Sequence, residues 1–227
     1  MGAINWATFD CFGTLVDWRH GIATSAELLF PGRGAEVLDR YTAHELDVER
    51  AAPTMRYRDV MAETLRRAAA ELGLPLRDDD ATILGDTIPY WPVFSEVAGE
   101  LGALREAGWR LALLTNCDRD IIGATQRRLG VPIDAVVTAE HVGSYKPALG
   151  HFERFEWSFQ PGRERWVHVA QSYTHDMLPA RELGIRRVWI NRLGESDDPT
   201  ICDAVQPDLH GLLATVERVR ASPAPPG

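Results

Sequence analysis

Cysteine is scarce in this sequence, and long apolar runs are missing. Three cysteines, Cys11, Cys117 and Cys202, occur among 227 residues at spacings that match no disulfide framework. Such sparse, odd usage excludes a disulfide-stapled scaffold and fits a reducing compartment, so we expect a cytoplasmic protein. The longest apolar runs have the length of a strand, well short of the ~20 residues that a membrane-spanning helix needs. Residues 1–5 carry no basic segment of the kind that opens a secretory signal peptide.

Basic residues are also in the minority. The chain has 24 Lys and Arg against 33 Asp and Glu, which gives a formal net charge of −9. An acidic surface disfavours nucleic acid and anionic membranes, and we expect neither as a partner. A small anionic substrate remains compatible with this charge, because the charges of a cleft can oppose the field of the whole protein. The length fits one large domain or one domain with an insert.

Strand-like and helical segments alternate through most of the chain. Five segments have the pattern of buried strands: 6–9, 110–115, 135–138, 166–170 and 187–190. From residue 96 onward they alternate with helical patterns at 97–107, 118–129, 151–157, 178–183 and 209–220. This alternation predicts βαβ units and an α/β fold with a parallel sheet of five or more strands flanked by helices.

Residues 18–92 interrupt the alternation with helical segments alone. These segments cover 21–30, 35–52, 58–72 and 79–90, and Pro and Gly separate them. A helical block inserted after the first strand predicts a cap domain of residues 18–92 over a core domain of residues 1–17 and 93–227. Such a cap can exclude water and shape a pocket. The alternative is a set of extra helices packed on the edge of the sheet.

The segment NWATFDCFGTL at residues 5–15 is the first candidate site. An apolar run ends in Asp10, and a Gly13-Thr14 turn follows at once. In α/β folds the carboxyl ends of the strands form the edge at which ligands bind. A carboxylate held there can attack an electrophilic carbon or phosphorus and form an ester intermediate. Asp10 is therefore the candidate nucleophile.

Polar residues follow three further strand-like segments. Thr115 and Asn116 end the second one and can hydrogen-bond an anionic group near Asp10. Alternatively, this stretch is a plain helix N-cap, formed by Asn116 or Asp118. Pro147 keeps the residue before it out of a helix, so Lys146 is presented from a loop. Lys146 beside a carboxylate would lower the pKa of that carboxylate, whereas a surface Lys would simply be solvated. Asp176 is either a base for water or an acid at a helix N-terminus.

The order of these motifs resembles the haloacid dehalogenase superfamily and, within it, the 2-haloacid dehalogenase (type II) branch. The resemblance covers residues 6–192, and its strongest matches are FDCFGTLVDW at 9–18 and GSYKP at 143–147. Gln171-Ser172 with His175-Asp176 looks like a subgroup of that branch. The resemblance implies a Rossmann-like core with a helical cap, a small-molecule carboxylate as substrate, and is compatible with a homodimer.

The resemblance also implies a mechanism. Asp10 attacks C2 of a 2-haloacid and expels halide, which leaves an aspartyl ester. Water, positioned by Asp176 together with Lys146, then hydrolyses the ester and releases a 2-hydroxy acid. By the same resemblance, Thr14 orients Asp10, and Lys146 keeps it ionised. The residues expected around the substrate are Thr115 and the backbone N–H groups near Cys11 and Phe12 for its carboxylate, Asn116 for the departing halide, and Ser172 and Tyr173.

Two departures from the phosphatases of the superfamily bear on metal. Those enzymes bind Mg²⁺, use an Asp two residues after the nucleophile as general acid, and have a metal-binding acid after the fourth strand. Here the first position holds Phe12, which cannot transfer a proton, and the second holds Ser172. Mg²⁺ prefers oxygen ligands that include carboxylates, so Asp10 and Asp176 alone form a weak set. We therefore expect no metal and no cofactor.

Other functions remain open at this point. One is a Mg²⁺-dependent phosphatase acting on a small phosphorylated metabolite, and another is hydrolysis of a different C–X bond beside a carboxylate. A non-catalytic binding protein on this fold is a third, although Asp10, Lys146 and Asp176 together speak against it. The cap Arg of the dehalogenase branch falls at Thr42. The residues that can substitute for it are Arg19, His20, Tyr57 and Arg58.

Overall fold

A central six-stranded sheet organises the computed structural model, which describes residues 4–222. The sheet order is β3-β2-β1-β4-β5-β6, and every neighbouring pair is parallel. The α/β fold with a parallel sheet is thus confirmed. The strands are β1 (Asn5–Phe9), β2 (Trp109–Thr115), β3 (Ala135–Thr138), β4 (Trp166–Ala170), β5 (Arg186–Ile190) and β6 (Ala204–Gln206). Strand β6 lies outside the five predicted segments because it is a three-residue edge strand whose Val205 is exposed.

Ten α-helices accompany the sheet within residues 4–222. They are α1 (Trp18–Leu29), α2 (Gly34–Ala51), α3 (Tyr57–Glu71), α4 (Ile83–Thr87), α5 (Val97–Glu106), α6 (Arg119–Gln126), α7 (Ala139–Val142), α8 (Gly150–Phe159), α9 (Leu178–Glu182) and α10 (Leu212–Ala221). Shorter helical turns are the 3₁₀ segments Asp78–Thr82, Ile88–Tyr90, Arg163–Arg165 and Pro199–Ile201 and the π-helical turn Tyr173–Met177. No helix in this part of the chain combines the length and the apolar character needed to cross a membrane.

The helix expected at 79–90 is the main difference in secondary structure. In its place, 3₁₀ turns flank the five-residue helix α4. Gly85 and Pro89 lie within this stretch, and both weaken an α-helix, Pro89 by removing a backbone donor. The apolar periodicity is therefore that of a buried but broken helical segment.

The inner strands are buried on both faces, as parallel sheets require. Along β1 the side chains alternate between two apolar clusters. Ala7 and Phe9 belong to the larger cluster, whereas Trp6 packs with Phe152 and Phe155 on the other face. This double burial fixes the strand register, so the residues that follow β1, β2 and β4 arrive together at one edge of the sheet.

The two segments that connect the helical block, residues 18–92, to the sheet lie side by side. Val16 pairs with Val93 in an antiparallel bridge, and the Asp17 N–H donates to the Pro92 carbonyl at 2.8 Å. Helices α1 to α4 pack on one another. The division into a core of residues 1–17 and 93–227 and a cap of residues 18–92 remains a prediction.

Asp118 joins this helical block to the sheet. It precedes α6, yet its side chain makes no capping bond there. Its carboxylate instead accepts from the backbone N–H groups of Tyr57, at 3.0 Å, and Arg58, at 3.1 Å, at the start of α3. The carboxylate thus satisfies the free donors of a helix that is distant in sequence.

Candidate active site

Asp10 lies just beyond the carboxyl end of β1 and is 7% exposed. Its Oδ2 accepts from the Thr14 hydroxyl at 2.9 Å, and its Oδ1 accepts from Lys146 Nζ at 2.9 Å. The turn that follows needs glycine, because Gly13 has a φ of +102° and a Cβ there would lie 2.9 Å from Gln171 Oε1. Both oxygens of this carboxylate are therefore held in place.

Thr14 is itself oriented by the residue that follows β4. The backbone N–H of Gln171 donates to Thr14 Oγ1 at 2.9 Å, so the hydroxyl proton is directed to Asp10. Thr14 is fully buried and does not line the cleft. The sequence-predicted Asp10–Thr14 pair is thus brought together by a turn and a strand that are distant in sequence.

Lys146 lies in the loop between α7 and α8 and is 1% exposed. Its Nζ donates to Asp10 Oδ1 at 2.9 Å, to Asp176 Oδ1 at 2.7 Å and to the Leu114 carbonyl at 2.8 Å. These three bonds use all three protons of the ammonium group. Burial lowers the pKa of Lys146, but the charges of the two carboxylates outweigh burial and raise it above the ordinary value.

Asp176 lies in the π-helical turn that follows β4 and is completely buried. Its Oδ1 accepts from Lys146 Nζ and from His168 Nε2, at 2.7 and 3.0 Å. Its Oδ2 has no hydrogen-bond partner among residues 4–222. Burial acts to raise the pKa of Asp176, but the charge of Lys146 and the hydrogen bond from His168 lower it to about 2.

The pKa of Asp10 differs from the sequence-based expectation. Lys146 does act to lower it, but burial is the larger effect and the neighbouring charge of Asp176 adds to burial, so the pKa of Asp10 is raised above its usual value. One ammonium group serves two buried carboxylates, and it therefore cannot compensate fully for both.

Asp10, Lys146 and Asp176 form a triad, and a cleft of about 340 Å³ opens above it. The helical block lines it through α1, α2 and the start of α3, and the carboxyl edge of the sheet closes its base. The lining includes six sequence-predicted residues besides Asp10 and Lys146: Phe12, Thr115, Asn116, Ser172, Tyr173 and Asp176. Cys11 is fully buried, and its side chain does not line the cleft, so only its backbone can serve a substrate there.

Several of these side chains already have protein partners. Asn116 exchanges two hydrogen bonds with the Lys146 backbone, at 2.7 and 3.1 Å, and its second amide proton is near the Glu49 carboxyl. The Thr115 hydroxyl makes a long 3.5 Å contact with Cys117 Sγ. Ser172 Oγ lies 2.9 Å from His175 Nδ1, and the Tyr173 hydroxyl donates to the Asp198 carbonyl at 3.1 Å. Asn116 thus supports the Lys146 loop, and the Tyr173 hydroxyl is engaged at the rim.

Thr42 lines the cleft, but its hydroxyl donates to the Leu38 carbonyl within α2 at 2.8 Å. Of the four suggested substitutes for a cap Arg, Arg19 and Tyr57 line the cleft. His20 lines a neighbouring cavity, and Arg58 hydrogen-bonds to Asp120.

Two acidic residues of α2 were not identified from the sequence. Glu45 Oε1 accepts from the hydroxyls of Tyr41 and Tyr57, at 2.8 and 2.9 Å. Glu49 lies one turn further on, is 5% exposed and lines the same cleft, with His175 Nε2 3.8 Å away. Burial raises the pKa of Glu49 to about 9, and Glu45 adds to this effect. In sequence both residues have the pattern of a solvated helix face.

Residues 4–184 match the model of the haloacid dehalogenase-like hydrolase family. The chain belongs to this family. This confirms the superfamily that the sequence motifs indicated and makes the protein a hydrolase.

The relatives of this haloacid dehalogenase-like hydrolase carry dehalogenase names. It is 28% identical over 204 residues to haloacetate dehalogenase H-2 of Moraxella sp. (strain B), covering 87% of this chain and 90% of the relative. It is 29% identical over 200 residues to the (S)-2-haloacid dehalogenase of Pseudomonas sp. (strain YL), covering 86% of this chain and 85% of the relative. The crystal structure of an L-2-haloacid dehalogenase matches with a TM-score of 0.83 and 27% identity, covering 95% of this chain and all (100%) of the other. The resemblance to the 2-haloacid dehalogenase branch is thus confirmed.

The donor set of this hydrolase does not favour a metal. Within residues 4–222, no group of three or more His, Cys, Asp or Glu side chains is arranged to hold a metal ion. The oxygens of Asp10 are occupied by Thr14 and Lys146, and an ammonium group lies between Asp10 and Asp176. A cation placed between these carboxylates would have to displace Lys146 Nζ.

Proposed function

We propose that this hydrolase converts short 2-haloacids to 2-hydroxy acids through an ester on Asp10, without a metal ion. The observation that carries the proposal is the triad in which Lys146 joins Asp10, at the end of β1, to Asp176, after β4. One carboxylate faces the cleft as a nucleophile, and the second keeps a free oxygen for water. The names of the relatives support the same reaction and the same substrate class.

In the first step the Asp10 carboxylate displaces halide from C2. The C2–halogen bond breaks as the bond between C2 and a carboxylate oxygen forms, and halide leaves without a proton. No general acid is needed, which is consistent with the apolar Phe12 at the position where the phosphatases of the superfamily have an Asp. Thr14 and Lys146 orient the attacking carboxylate.

The substrate carboxylate binds at the base of the cleft. Thr115 and the backbone N–H groups near Cys11 and Phe12 are the proposed donors, and Ser172 and Tyr173 complete that wall. Asn116 has one amide proton that the Lys146 backbone does not use, and we assign that proton to the departing halide. The side of the cleft formed by α2 offers Thr42 and Glu49 in place of an Arg, so the halide site is built differently from that of the branch.

In the second step water hydrolyses the ester. Lys146 has no free proton to hold the water, because its three N–H groups are already engaged. Asp176 therefore activates the water, and Lys146 maintains the positions of the two carboxylates. Closure by the proposed cap, residues 18–92, excludes bulk water. The homodimer and the cytoplasmic location remain predictions.

Halide release tests this function directly. Chloroacetate, fluoroacetate and both enantiomers of 2-chloropropionate are incubated with the enzyme, with and without chelator, beside a phosphate ester. We expect halide release that survives chelation and that Asp10→Asn abolishes without unfolding the chain. Release of phosphate alone, and only with Mg²⁺, would contradict the proposal.

A further inference from the structure

A chain of buried hydrogen bonds reaches Asp176 from strands β1 and β4, on the sheet face that also carries Trp6. The indole Nε1 of Trp166 lies 2.8 Å from Thr8 Oγ1, which lies 2.9 Å from His168 Nδ1. His168 Nε2 lies 3.0 Å from Asp176 Oδ1. All four side chains are completely buried. We call these four residues the relay: Thr8 lies in β1, Trp166 and His168 lie in β4, and Asp176 lies in the π-helical turn. Of the four, Asp176 alone lines the cleft.

The directions of these hydrogen bonds follow from the donor types. An indole N–H only donates, so Thr8 Oγ1 accepts from Trp166 and has its own proton available for His168 Nδ1. A neutral imidazole that accepts at Nδ1 carries its proton at Nε2, and this proton points at Asp176 Oδ1. The Asp176 carboxylate, which only accepts, places this proton at Nε2, and the Thr8 hydroxyl supports the same tautomer by donating to Nδ1.

The relay makes the two oxygens of Asp176 unequal. Oδ1 accepts two hydrogen bonds, from His168 and Lys146, whereas Oδ2 is buried and has no partner among residues 4–222. A buried carboxylate oxygen without a hydrogen-bond partner costs free energy unless a ligand or a water molecule donates to it. Because Asp176 lines the cleft, a water molecule above the Asp10 ester can donate to Oδ2.

We propose that His168 is a positioning residue for ester hydrolysis: it holds Asp176 by Oδ1 so that Oδ2 takes the proton of the attacking water. The inference rests on the proposed function. His168 touches neither the substrate nor the reacting atoms, and it acts only through the orientation and ionisation of Asp176.

The step is balanced in atoms and charge. A water O–H bond breaks as its proton moves to Asp176 Oδ2, and the oxygen bonds to the carbonyl carbon of the Asp10 ester. The tetrahedral intermediate expels the alkoxide of the 2-hydroxy acid, which takes the proton back from Asp176 Oδ2. Asp10 is left as a carboxylic acid and releases its proton to solvent, which restores both carboxylates.

A packing role alone explains less of what is observed. His168 packs edge-on against Phe152, with ring centroids 4.9 Å apart, and an apolar ring could make the same contact. A buried imidazole with both nitrogens paired costs desolvation that an apolar residue avoids. His168 connects Thr8 to Asp176 Oδ1 through its two hydrogen bonds and leaves Oδ2 without a partner in the described part of the chain. A packing role does not require this arrangement.

Separating ester formation from ester hydrolysis tests the proposal. His168→Leu removes the donor and keeps an apolar side chain, whereas His168→Gln keeps an N–H that can reach Asp176. With the 2-chloropropionate enantiomer that the wild type accepts, we expect His168→Leu to release one halide per enzyme at the wild-type rate. Steady-state turnover then slows on the order of 10- to 100-fold. The ester accumulates as a mass increase of the intact protein, and His168→Gln restores part of the turnover.

Matched controls make the outcome decisive. Val167→Ala removes buried packing from the same strand on its other face, and Thr8→Val removes the hydroxyl that donates to His168 Nδ1. We expect no ester in Val167→Ala and partial ester accumulation in Thr8→Val, which also serves if His168→Leu does not fold. Equal slowing of the halide burst and of turnover in His168→Leu, or no ester in Thr8→Val, would overturn the role of His168. Absence of halide release from the wild type would instead refute the proposed function.

The acid limb of the hydrolysis rate gives a second readout. The hydrogen bond from His168 contributes to the low pKa of Asp176, so its loss raises that pKa. In His168→Leu the rate of ester hydrolysis is therefore expected to fall at a higher pH than in the wild type. A merely destabilised strand would leave this limb unmoved, and an unmoved limb would count against the proposal.

Discussion

Lys146 Nζ and Asp176 Oδ1 lie 2.7 Å apart, with side chains that are 1% and 0% exposed. The same ammonium group also contacts Asp10, so the proposed nucleophile and the proposed base share a single cation. A buried ion pair of this kind contributes little net stability compared with an apolar replacement, because desolvation offsets the attraction. Its presence beside the cleft is therefore better explained by the chemistry of the two carboxylates than by folding.

Replacing Lys146 by Met should destabilise the protein as well as inactivate it. The variant leaves two buried carboxylates without their cation, and breaking a buried pair in this way costs about 3–5 kcal/mol of unfolding free energy. Urea denaturation of both proteins at pH 7 measures the loss. The double variant Lys146→Met/Asp176→Asn removes one of the unpaired charges and should recover part of the stability. A single variant as stable as the wild type would show that the triad is not buried as described.

Glu49 should make substrate binding sensitive to alkaline pH. Burial and the neighbouring Glu45 raise its pKa to about 9, while Lys146 and the amide of Asn116 oppose this effect. Glu49 is therefore protonated near neutral pH and becomes an anion above pH 9, where it repels a 2-haloacid carboxylate. We expect KM for chloroacetate to rise through this range in the wild type and to stay flatter in Glu49→Gln. Initial rates between pH 7 and 10 measure the difference.

The same residue links stability to pH. The ordinary pKa of a Glu is 4.5 and the value for Glu49 in the folded protein is about 9, so the unfolded chain loses this proton first. The stability that the protonated form provides is complete below pH 4.5 and is lost as pH rises through about 9. The melting temperature of Glu49→Gln should therefore gain on that of the wild type from pH 5 to pH 9. Glu36→Gln, on the exposed face of α2, is the control that should show no such gain.

How far the sequence predicts the site depends on where each residue gets its role. Asp10 and Asp176 follow buried strands, and Lys146 belongs to a Lys-Pro turn. The carboxyl ends of parallel strands bring such positions to one edge of the sheet. Their convergence was therefore predictable. His168 sits inside an apolar strand, and its partners, Thr8 and Trp166, are themselves ordinary core positions in sequence. Only the strand register, which pairs Thr8 with His168, makes them a relay.

The side of the cleft formed by α2 was not predictable for a related reason. Glu45 and Glu49 have the spacing of a solvated helix face. The pKa of Glu49 is high mainly because α2 packs over the sheet edge and buries it, and Glu45 adds to this effect. A sequence pattern specifies which face of a helix is polar, but it does not show what lies opposite that face. The missing strand β6 has a different cause: three residues with an exposed centre carry too little apolar pattern to be recognised.

Asp118 should hold the helical block in place over the cleft. Its carboxylate is 2% exposed and accepts both free N–H groups at the start of α3, where Tyr57 contributes to the cleft lining. Asp118→Asn removes the charge and replaces one acceptor by a donor, which should lower the unfolding free energy by about 1–2 kcal/mol. Because Tyr57 also holds Glu45, KM for 2-haloacids should rise more than kcat falls.

Asp120→Asn is the matched control for that prediction. Arg56 and Arg58 lie within ion-pair distance of both Asp118 and Asp120. The side chain of Asp120 is 57% exposed, however, and exposed pairs contribute about 0–1 kcal/mol. Denaturation and initial-rate measurements on both variants, side by side, distinguish a buried cap on α3 from a surface ion pair. If the two variants lose equal stability and show equal KM, the attachment of the helical block depends on surface charge, and the assignment of Asp118 is wrong.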